Sequence, residues 1–340
     1  MIIDYKNDIY FDPRLGEIYA TLEGGRFHEF DFKNDAGSIR HQFIIRPIEL
    51  AAVTAGKTDP APQLFYDLTT PYGYGGPLIM EVKPGRKQEL LDGFAEAFAG
   101  FCKEENIVSE FVRFHILAGN AEDFSSMYET ELFNHTVGIN LADYDDPFQD
   151  EFAKSARKVV RRCLRDGMTW EIEENPDTLE DFAEIYYQTM DRNEAADRYY
   201  FDADYFAAFI ETMPEAVLKC RVLYEDKTIA MGFFLRSADV LHIHLSGTLS
   251  EYLHLSPAYV LRYGLTQWGR EQGYKLIHTG GGISGDPEDS LYLFKKRFSR
   301  NTEFDFYIGR KVWNEEVYHE LVELSGTAES GFFPQYRAEM

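Results

Sequence analysis

The sequence predicts a mixed α/β protein built as two domains, each a mixed, mostly antiparallel sheet flanked by helices. Three observations predict it. The chain has 340 residues, more than one ordinary hydrophobic core organises and about right for two. Helix-period and strand-period segments alternate along its length. The alternation restarts after Asp143-Tyr-Asp-Asp-Pro147, an acidic stretch closed by a proline that reads as a junction. The domains are therefore expected at residues 1–145 and 146–340.

Taken in order, Asp12-Pro13 opens the first helix, since Asp can cap free amides and Pro fits the first turn. Leu15, Ile18, Tyr19 and Leu22 follow at helical spacing, and Gly24-Gly25 ends the run. Residues 26–33 and 41–48 read as strands, and a loop rich in Pro, Thr, Tyr and Gly comes next. Residues 86–105 form an amphipathic helix with Leu90, Phe94, Phe98 and Phe101 on one face. Strands are expected at 108–116 and 136–141.

Beyond the junction a helix is expected over 148–165 and a strand over 168–174. Asp177-x-x-Glu180 has the form of a capping box ahead of a helix carrying Phe182, Ile185, Tyr186 and Met190. A short helix near 203–212 precedes three strands near 216–224, 228–237 and 240–247. Ser256-Pro257 starts a helix with Val260, Leu261, Leu265 and Trp268 inward, and a strand over 275–279 follows. A glycine loop, a helix over 289–298, a strand near 302–311 and a helix near 314–325 complete the pattern. Antiparallel strands followed by a β-α-β passage suit a mixed sheet with helices on its faces.

Composition narrows the function. Apolar residues are 44% and charged residues 27%, a globular balance. The formal charge of −24 argues against a broad nucleic-acid surface and against DNA as a partner, because phosphate neutralisation needs the opposite sign. A local basic patch remains compatible with it. The three cysteines, Cys102, Cys163 and Cys220, are too few and too scattered for a disulfide framework or a zinc site, and no other metal spacing occurs. Such thiols suit a reducing compartment. The charged start Met1-Ile-Ile-Asp-Tyr-Lys-Asn-Asp8 lacks a signal-peptide core, and no stretch has the length of a membrane span. A soluble, cytoplasmic protein is expected.

Three segments could carry chemistry. Thr69-Thr-Pro-Tyr-Gly-Tyr-Gly-Gly-Pro77 is stiff yet open, and its glycines let backbone amides approach a ligand. A plain surface turn explains it equally, and Tyr72 and Tyr74 read as wall rather than catalyst. The helix around Lys154–Arg165 carries Lys154, Arg157, Lys158, Arg161, Arg162 and Arg165. Arginine forks match phosphate oxygens, while a solvated face paired with surface carboxylates is the competing account. This helix is also the best place for the end of a tRNA to touch. The third segment, His278-Thr-Gly-Gly-Gly-Ile-Ser-Gly285, follows a strand and precedes a helix containing Ser290, Phe294, Lys295, Lys296 and Phe298. Glycines at a strand end make a phosphate- or carbonyl-binding corner, and either lysine could reach back to it. Neither a P-loop nor a dinucleotide fingerprint fits. His115 and His244 sit on strands, where a hydrogen-bonded structural histidine is commoner than a base. No nucleophile elbow occurs.

In combination these segments resemble the Fem family, which builds peptidoglycan interpeptide bridges. The resemblance rests on Thr70-Pro-Tyr-Gly-Tyr-Gly-Gly-Pro77, Glu110-Phe-Val-Arg-Phe-His115, Ser155 to Gly167, Thr189-Met-Asp-Arg192, Ser256-Pro257 with its helix, and Gly280-Gly-Gly through Phe294-Lys295-x-x-Phe298. These run through most of the chain in order, and the last is the most specific. The resemblance implies two tandem GNAT-like domains and an acyltransferase using aminoacyl-tRNA to acylate an amine of a cell-wall precursor. It implies that Lys295, with Phe294 beside it, lies near the reacting carbonyl, and that Arg192 contacts phosphate. Substrate contacts are then expected from Tyr72, Tyr74, Arg113, His115, Arg157, Arg161, Arg192, His244, Gly281, Gly282 and Ser290. Two departures matter: no long heptad pair supplies a helical arm, and Tyr252-Leu-His-Leu-Ser-Pro257 stands where GNAT enzymes carry their CoA-pyrophosphate loop.

The expected reaction is aminoacyl transfer to an amine of a phosphorylated cell-wall or nucleotide-sugar precursor, without a covalent enzyme intermediate. No tightly bound cofactor and no metal is expected; the donor, aminoacyl-tRNA or acyl-CoA, is a co-substrate. One alternative is an acyl-CoA-dependent N-acyltransferase acting on an amino sugar in surface-polysaccharide synthesis. Another is a non-catalytic sugar- or nucleotide-binding module on the same fold.

Overall fold

The computed structural model describes residues 1–49 and 64–338. They form two compact units, one of Met1–Ile9 with Asn134–Asp305, the other of Tyr10–Phe133 with Phe306–Met340. The single junction expected at 145/146 is therefore replaced by exchanged ends. The acidic segment 143–147 lies inside the first unit, because the chain passes between units elsewhere: once in the turn at Ile9–Phe11 and twice within strands. Those two strands, β6 (Glu129–Asn140) and β12 (Glu303–Val312), begin in one unit and end in the other.

In the unit holding the N-terminus, the sheet order is β6-β11-β10-β9-β8-β7. Its strands are β7 (Thr169–Glu174), β8 (Val217–Tyr224), β9 (Lys227–Arg236), β10 (Val240–Thr248) and β11 (Leu276–Gly281). Only β10 and β11 run parallel, joined by helix α8 (Pro257–Glu271). The turn between β8 and β9 sets Glu225 and Asp226 at φ 50° and 60°, the pair of left-handed residues that a tight hairpin demands. Consecutive residues of β9 face opposite ways. Phe234 joins the core under α8 and α5 (Lys154–Arg165), with Val160, Cys163, Leu261, Leu265 and Phe298. Phe233 packs instead on Phe182 of α6 (Glu180–Arg192) and Phe209 of α7 (Ala203–Thr212), at ring separations of 6.0 and 5.1 Å.

The other unit repeats the same path. Its order is β1 (Arg26–Asn34), β2 (Gly37–Pro47), β3 (Tyr66–Thr69), β5 (Ile107–Arg113), β12, with β4 (Leu78–Val82) also on β2. Here too one pair is parallel, β3 with β5, and a helix, α2 (Lys87–Glu104), lies between them in sequence. Leu90, Phe94, Phe98 and Cys102 of α2 are buried against Phe43, Leu68 and Val112. Helix α1 (Pro13–Leu22) begins as expected, with Asp12 accepting from Arg14 N at 3.0 Å. A short helix α3 (Asn120–Asp123) and the later α10 (Glu315–Ser325) complete this unit.

Three local expectations differ. The loop after β2 contains β3 and β4, four and five residues long, too short to show a period; its first part, residues 50–63, lies outside the described residues. The helix over 148–165 is broken into α4 (Pro147–Asp150) and α5. Glu151, wholly buried, interrupts it by accepting from Asn140 N at 3.2 Å and Asn301 N at 2.9 Å, and from the Thr302 hydroxyl. The Asp177 capping box does not form: Leu179 holds the N-cap, and Thr178 Oγ1 accepts from Glu180 N at 3.1 Å. Among the described residues no helix is long and apolar enough to cross a membrane, and no cluster of His, Cys, Asp or Glu could hold a metal.

Candidate functional site

The site grows from the one parallel pair in the N-terminal unit. Strands β10 and β11 share a ladder at three positions only, ending at His242↔His278. From there each follows its outer neighbour: β10 stays on β9 as far as Thr248↔Ala230, and β11 stays on β6 as far as Gly281↔Thr136. A bulge in each strand, between Ile243 and Leu245 and between His278 and Gly280, turns them apart. Facing strand edges that do not pair leave backbone N–H and C=O groups for a ligand.

The matching pair in the other unit is sewn shut. There Gly75 bridges Phe114 and donates to Arg113 O at 2.7 Å. Thr70 N donates to Phe111 O at 3.2 Å, and Arg113 N to Thr70 Oγ1 at 3.0 Å. The guanidinium of Arg113 spans Thr69 Oγ1 and Thr70 O. Tyr74 is buried between the rings of Tyr10 and Phe306, and burial pushes its phenol well up. His115 is buried against Phe11, its Nδ1 accepting from Leu117 N at 3.3 Å. Tyr72 alone of these four is exposed. The Thr-Pro-Tyr-Gly segment thus closes a sheet in this unit.

Lys295 lies on the β11 side of the open split. Helix α9 (Ser290–Lys296) points its Nζ back to Gly281 O at 2.7 Å. The strand can take that shape because Gly280 sits at φ +75°, and a Cβ there would stand 3.2 Å from Nζ. Asp289 ties the corner to the helix. One carboxylate oxygen accepts from Leu291 N and Tyr292 N, both at 2.9 Å; the other accepts from Ile283 N and Ser284 N at 2.9 and 3.0 Å. Gly282 passes so close that a Cβ would meet Asp289 at 2.5 Å. Ser290 opens the helix and is exposed.

Burial draws the Lys295 ammonium down to about 7; the charge of Arg262 adds to the fall and that of Asp289 opposes it. Phe294 and Phe298 bracket this lysine in sequence and meet edge to face at 5.2 Å, with Tyr259 packed on both. Arg262, from α8, is 4% exposed and lies beneath the two phenylalanines, 4.8 and 5.3 Å from their centroids. It was not anticipated. A cation with no acid within four residues, set among the apolar positions of the helix, was the available signal.

On the β10 side, α6 closes the strand end. Thr189 Oγ1 accepts from Thr248 N at 2.9 Å, and Arg192 Nη1 donates to Thr248 O and Ser250 Oγ, both at 3.0 Å. His244 lies at the β10 bulge, 2.5 Å from the Tyr205 hydroxyl, and burial pushes it down to about 3, so it is neutral. Sequence reasoning also missed Asp8, wholly buried, which lies 3.0 Å from His242 Nε2 at the last paired position of the ladder.

The basic helix α5 presents Lys154, Lys158, Arg161, Arg162 and Arg165 on one exposed face, with Ala156, Val160 and Cys163 buried opposite. It contains no acid. Arg161 lies over the Phe148 ring at 5.5 Å, and Arg162 reaches Ser256 Oγ at 3.4 Å. Arg157 is turned inward and bound to Gln149 O and Phe152 O at 2.6 Å each. The structure thus brings Lys295, Phe294, Gly281 and Gly282 into one corner, with Ser290 at the start of the lysine's helix. Arg192 and His244 lie along β10, and Arg157 and Arg161 on α5.

Comparison with known proteins agrees with this geometry. Residues 151–289 match the family model of the acetyltransferase (GNAT) domain, a match that stops six residues before Lys295. The UDP-N-acetylmuramoylpentapeptide-lysine N(6)-alanyltransferase of Weissella viridescens is 25% identical over 185 residues, 51% of each chain. The match thus spans about half the length of that curated relative. The crystal structure of FemX superposes with a TM-score of 0.65 at 14% identity, covering 93% of this chain and 94% of that one. L-PGS from Bacillus licheniformis gives 0.53 at 13% identity, covering 93% and 96%. A tandem GNAT protein from the clavulanic acid pathway gives 0.50 at 10% identity, covering 88% of each.

Sheet order, split strands and these matches define a protein of the GNAT acyltransferase fold, with the parallel-pair unit present twice. Within that fold the chain is similar to FemX in structure and, over about half its length, to a lysine N(6)-alanyltransferase in sequence.

Proposed function

We propose that this chain transfers an aminoacyl group from an activated ester to an amine of a phosphorylated cell-wall or nucleotide-sugar precursor. The observation that carries the reading is Lys295 Nζ, fixed 2.7 Å from Gly281 O beside the open end of the β10–β11 split. The donor's acyl chain lies along the unpaired strand edges, as an added strand would. The acceptor amine attacks the ester carbon, so a C–N bond forms and the C–O bond to the donor breaks. Lys295 in its charged form exchanges Gly281 O for the developing oxyanion and stabilises it. It gives a proton to the leaving oxygen and is recharged by the proton the new amide nitrogen sheds, so protons balance. A lysine held near neutrality can do both at physiological pH. Positioning supplies much of the remaining rate.

Phosphate recognition falls to cations that have no carboxylate of their own. Among the described residues Arg192 uses only Nη1, and Lys154 and Lys158 make no ion pair. The exposed face of α5 suits the acceptor end of a charged tRNA. A cytoplasmic setting fits the three free, buried thiols. The similarity to an alanyltransferase acting on a UDP-linked pentapeptide supports this choice of acceptor.

A second reading, acyl-CoA as donor to an amino sugar, is favoured by the acetyltransferase-domain match. Single-turnover assays with charged RNA minihelices and with acyl-CoA, each against UDP-sugar acceptors, separate the two. Lys295→Met is expected to lower turnover by roughly 10²–10³-fold. Full turnover by that variant overturns the role of Lys295, and transfer from acyl-CoA alone overturns the RNA donor.

A further inference from the structure

We propose that Arg262 is the positioning residue of the Lys295 corner: buried beneath Phe294 and Phe298 with no carboxylate among the described residues to match it, its charge sets how readily Lys295 releases its proton. This rests on the role given to Lys295 under the proposed function.

The geometry is unusual for a buried arginine. Its side chain is almost fully enclosed, yet its one hydrogen bond among the described residues is from Nη1 to Ala258 O at 3.1 Å, within its own helix. Nε is buried without a partner among the described residues. A buried charge that is neither paired nor fully hydrogen-bonded costs free energy. The compensation present is the pair of aromatic faces, and both belong to the helix that carries Lys295. Leucine or methionine would fill that place without the electrostatic cost, so the cation itself calls for an explanation.

The charges bearing on Lys295 are few. Arg262 stands on the α8 side and Asp289 on the loop side. Tyr259, also from α8, is engaged as acceptor from Arg297 at 2.9 Å. Lys296 and Tyr292 both turn to Glu303. From β6, Asn134 and His135 approach Gly281, and His135 pairs with Asp305 at 2.9 Å. Asp289, whose carboxylate acts on Lys295, is saturated by backbone amides and the Ser284 hydroxyl. Burial draws the Arg262 guanidinium down to about 10, still well above Lys295, so over the range in which Lys295 titrates it acts as a fixed positive charge. The aromatic stack keeps that charge from swinging to solvent.

The test reads Lys295 directly. Wild-type protein is labelled across pH 5–11 with trace acetic anhydride, and each lysine is followed by mass spectrometry, with exposed Lys158 as internal reference. Lys295 is expected to titrate far below Lys158. In Arg262→Gln and Arg262→Met its midpoint rises, and its labelling at pH 7 slows on the order of tenfold. Arg262→Lys keeps the low midpoint. Should Arg262→Met fail to fold, Arg262→Gln carries the comparison, and Asp289→Asn, with Arg262 in place, moves the midpoint the opposite way. A wild-type midpoint equal to that of Lys158 overturns the proposal. So does an unmoved midpoint in folded Arg262→Gln, or an equal rise in Arg262→Lys, which would show packing rather than charge at work. Labelling needs neither donor nor acceptor. Expected labelling without acyl transfer sinks the proposed function and leaves Arg262 standing; transfer with Lys295 labelling unmoved does the reverse. Where transfer is measured, the high-pH limb of kcat/KM moves up in Arg262→Gln.

Discussion

Removing the Asp289 carboxylate tests how the corner is held. In Asp289→Ala the first turn of α9 loses its cap from Leu291 N and Tyr292 N, a loss of about 1 kcal/mol. The loop loses its anchor at Ile283 N and Ser284 N and at the Ser284 hydroxyl. Water reaches these loop groups, so their net contribution is about another 1 kcal/mol rather than the sum of isolated charged hydrogen bonds. A loss of about 2 kcal/mol lowers Tm by about 4–8 °C in a cooperative unit of this size.

The same carboxylate supplies a pH signature. Desolvation pushes it up, but donors from Tyr292, Ser284 and Ile283 outweigh that and hold it down to about 2. A folded value below the unfolded one means the stabilisation is complete above about pH 4 and fades as pH falls toward the folded value. Scanning calorimetry of wild type and Asp289→Ala should therefore show the full Tm gap at pH 7 and a much smaller one near pH 2. A variant within about 1 °C of wild type at pH 7, or an equal gap at both pH values, would refute the reasoning.

Other outcomes follow from neighbouring features. Gly280→Ala forces a side chain into a left-handed backbone and against Lys295 Nζ, so Tm should fall by a few degrees and transfer should fall more than it does in Gly285→Ala. Phe298→Ala empties a wholly buried site against Arg262 and should cost about 3–5 kcal/mol by urea titration. Neutral, buried His244 adds a proton only on unfolding, so below about pH 6.5 it contributes a loss near 1.4 kcal/mol per pH unit; His244→Gln should flatten the fall of Tm between pH 6 and 4. In the other unit Glu110, 1% exposed, accepts from His41 at 2.6 Å, Tyr128 at 3.2 Å and Trp313 at 3.1 Å. Glu110→Ala should cost about 3 kcal/mol by leaving those donors buried and unsatisfied. Lys154→Glu with Lys158→Glu should weaken minihelix RNA binding and lower its salt slope by roughly one per lost contact.

Much of this molecule is written locally. Asp12-Pro13 and the amphipathic stripe of α2 depend on backbone preference and period, and each forms where the residues place it. The glycine corner with Phe294-Lys295-x-x-Phe298 was visible for the same reason: positive φ, a strand end and a helix face are short-range properties. Whatever depended on distant partners was not visible. Glu151 breaks a helical pattern because Asn140, Asn301 and Thr302 wait for its carboxylate. Residues 306–338 change units because strand pairing, which no local period encodes, decides the neighbours of β6 and β12, and residues 1–9 are tied to theirs by Asp4 on Asp239 and Asp8 on His242.

The sequence by itself determined most of the elements, though not β3, β4 or the break at Glu151, and set the lysine beside its glycines. Only the tertiary structure decided which parallel pair stands open. Both units bring two parallel strands together, but Thr70, Gly75 and Arg113 stitch one pair closed, while the bulges at His244 and Thr279 part the other. The physical reason is that an unpaired strand edge is a relation between two segments, and neither segment carries it alone.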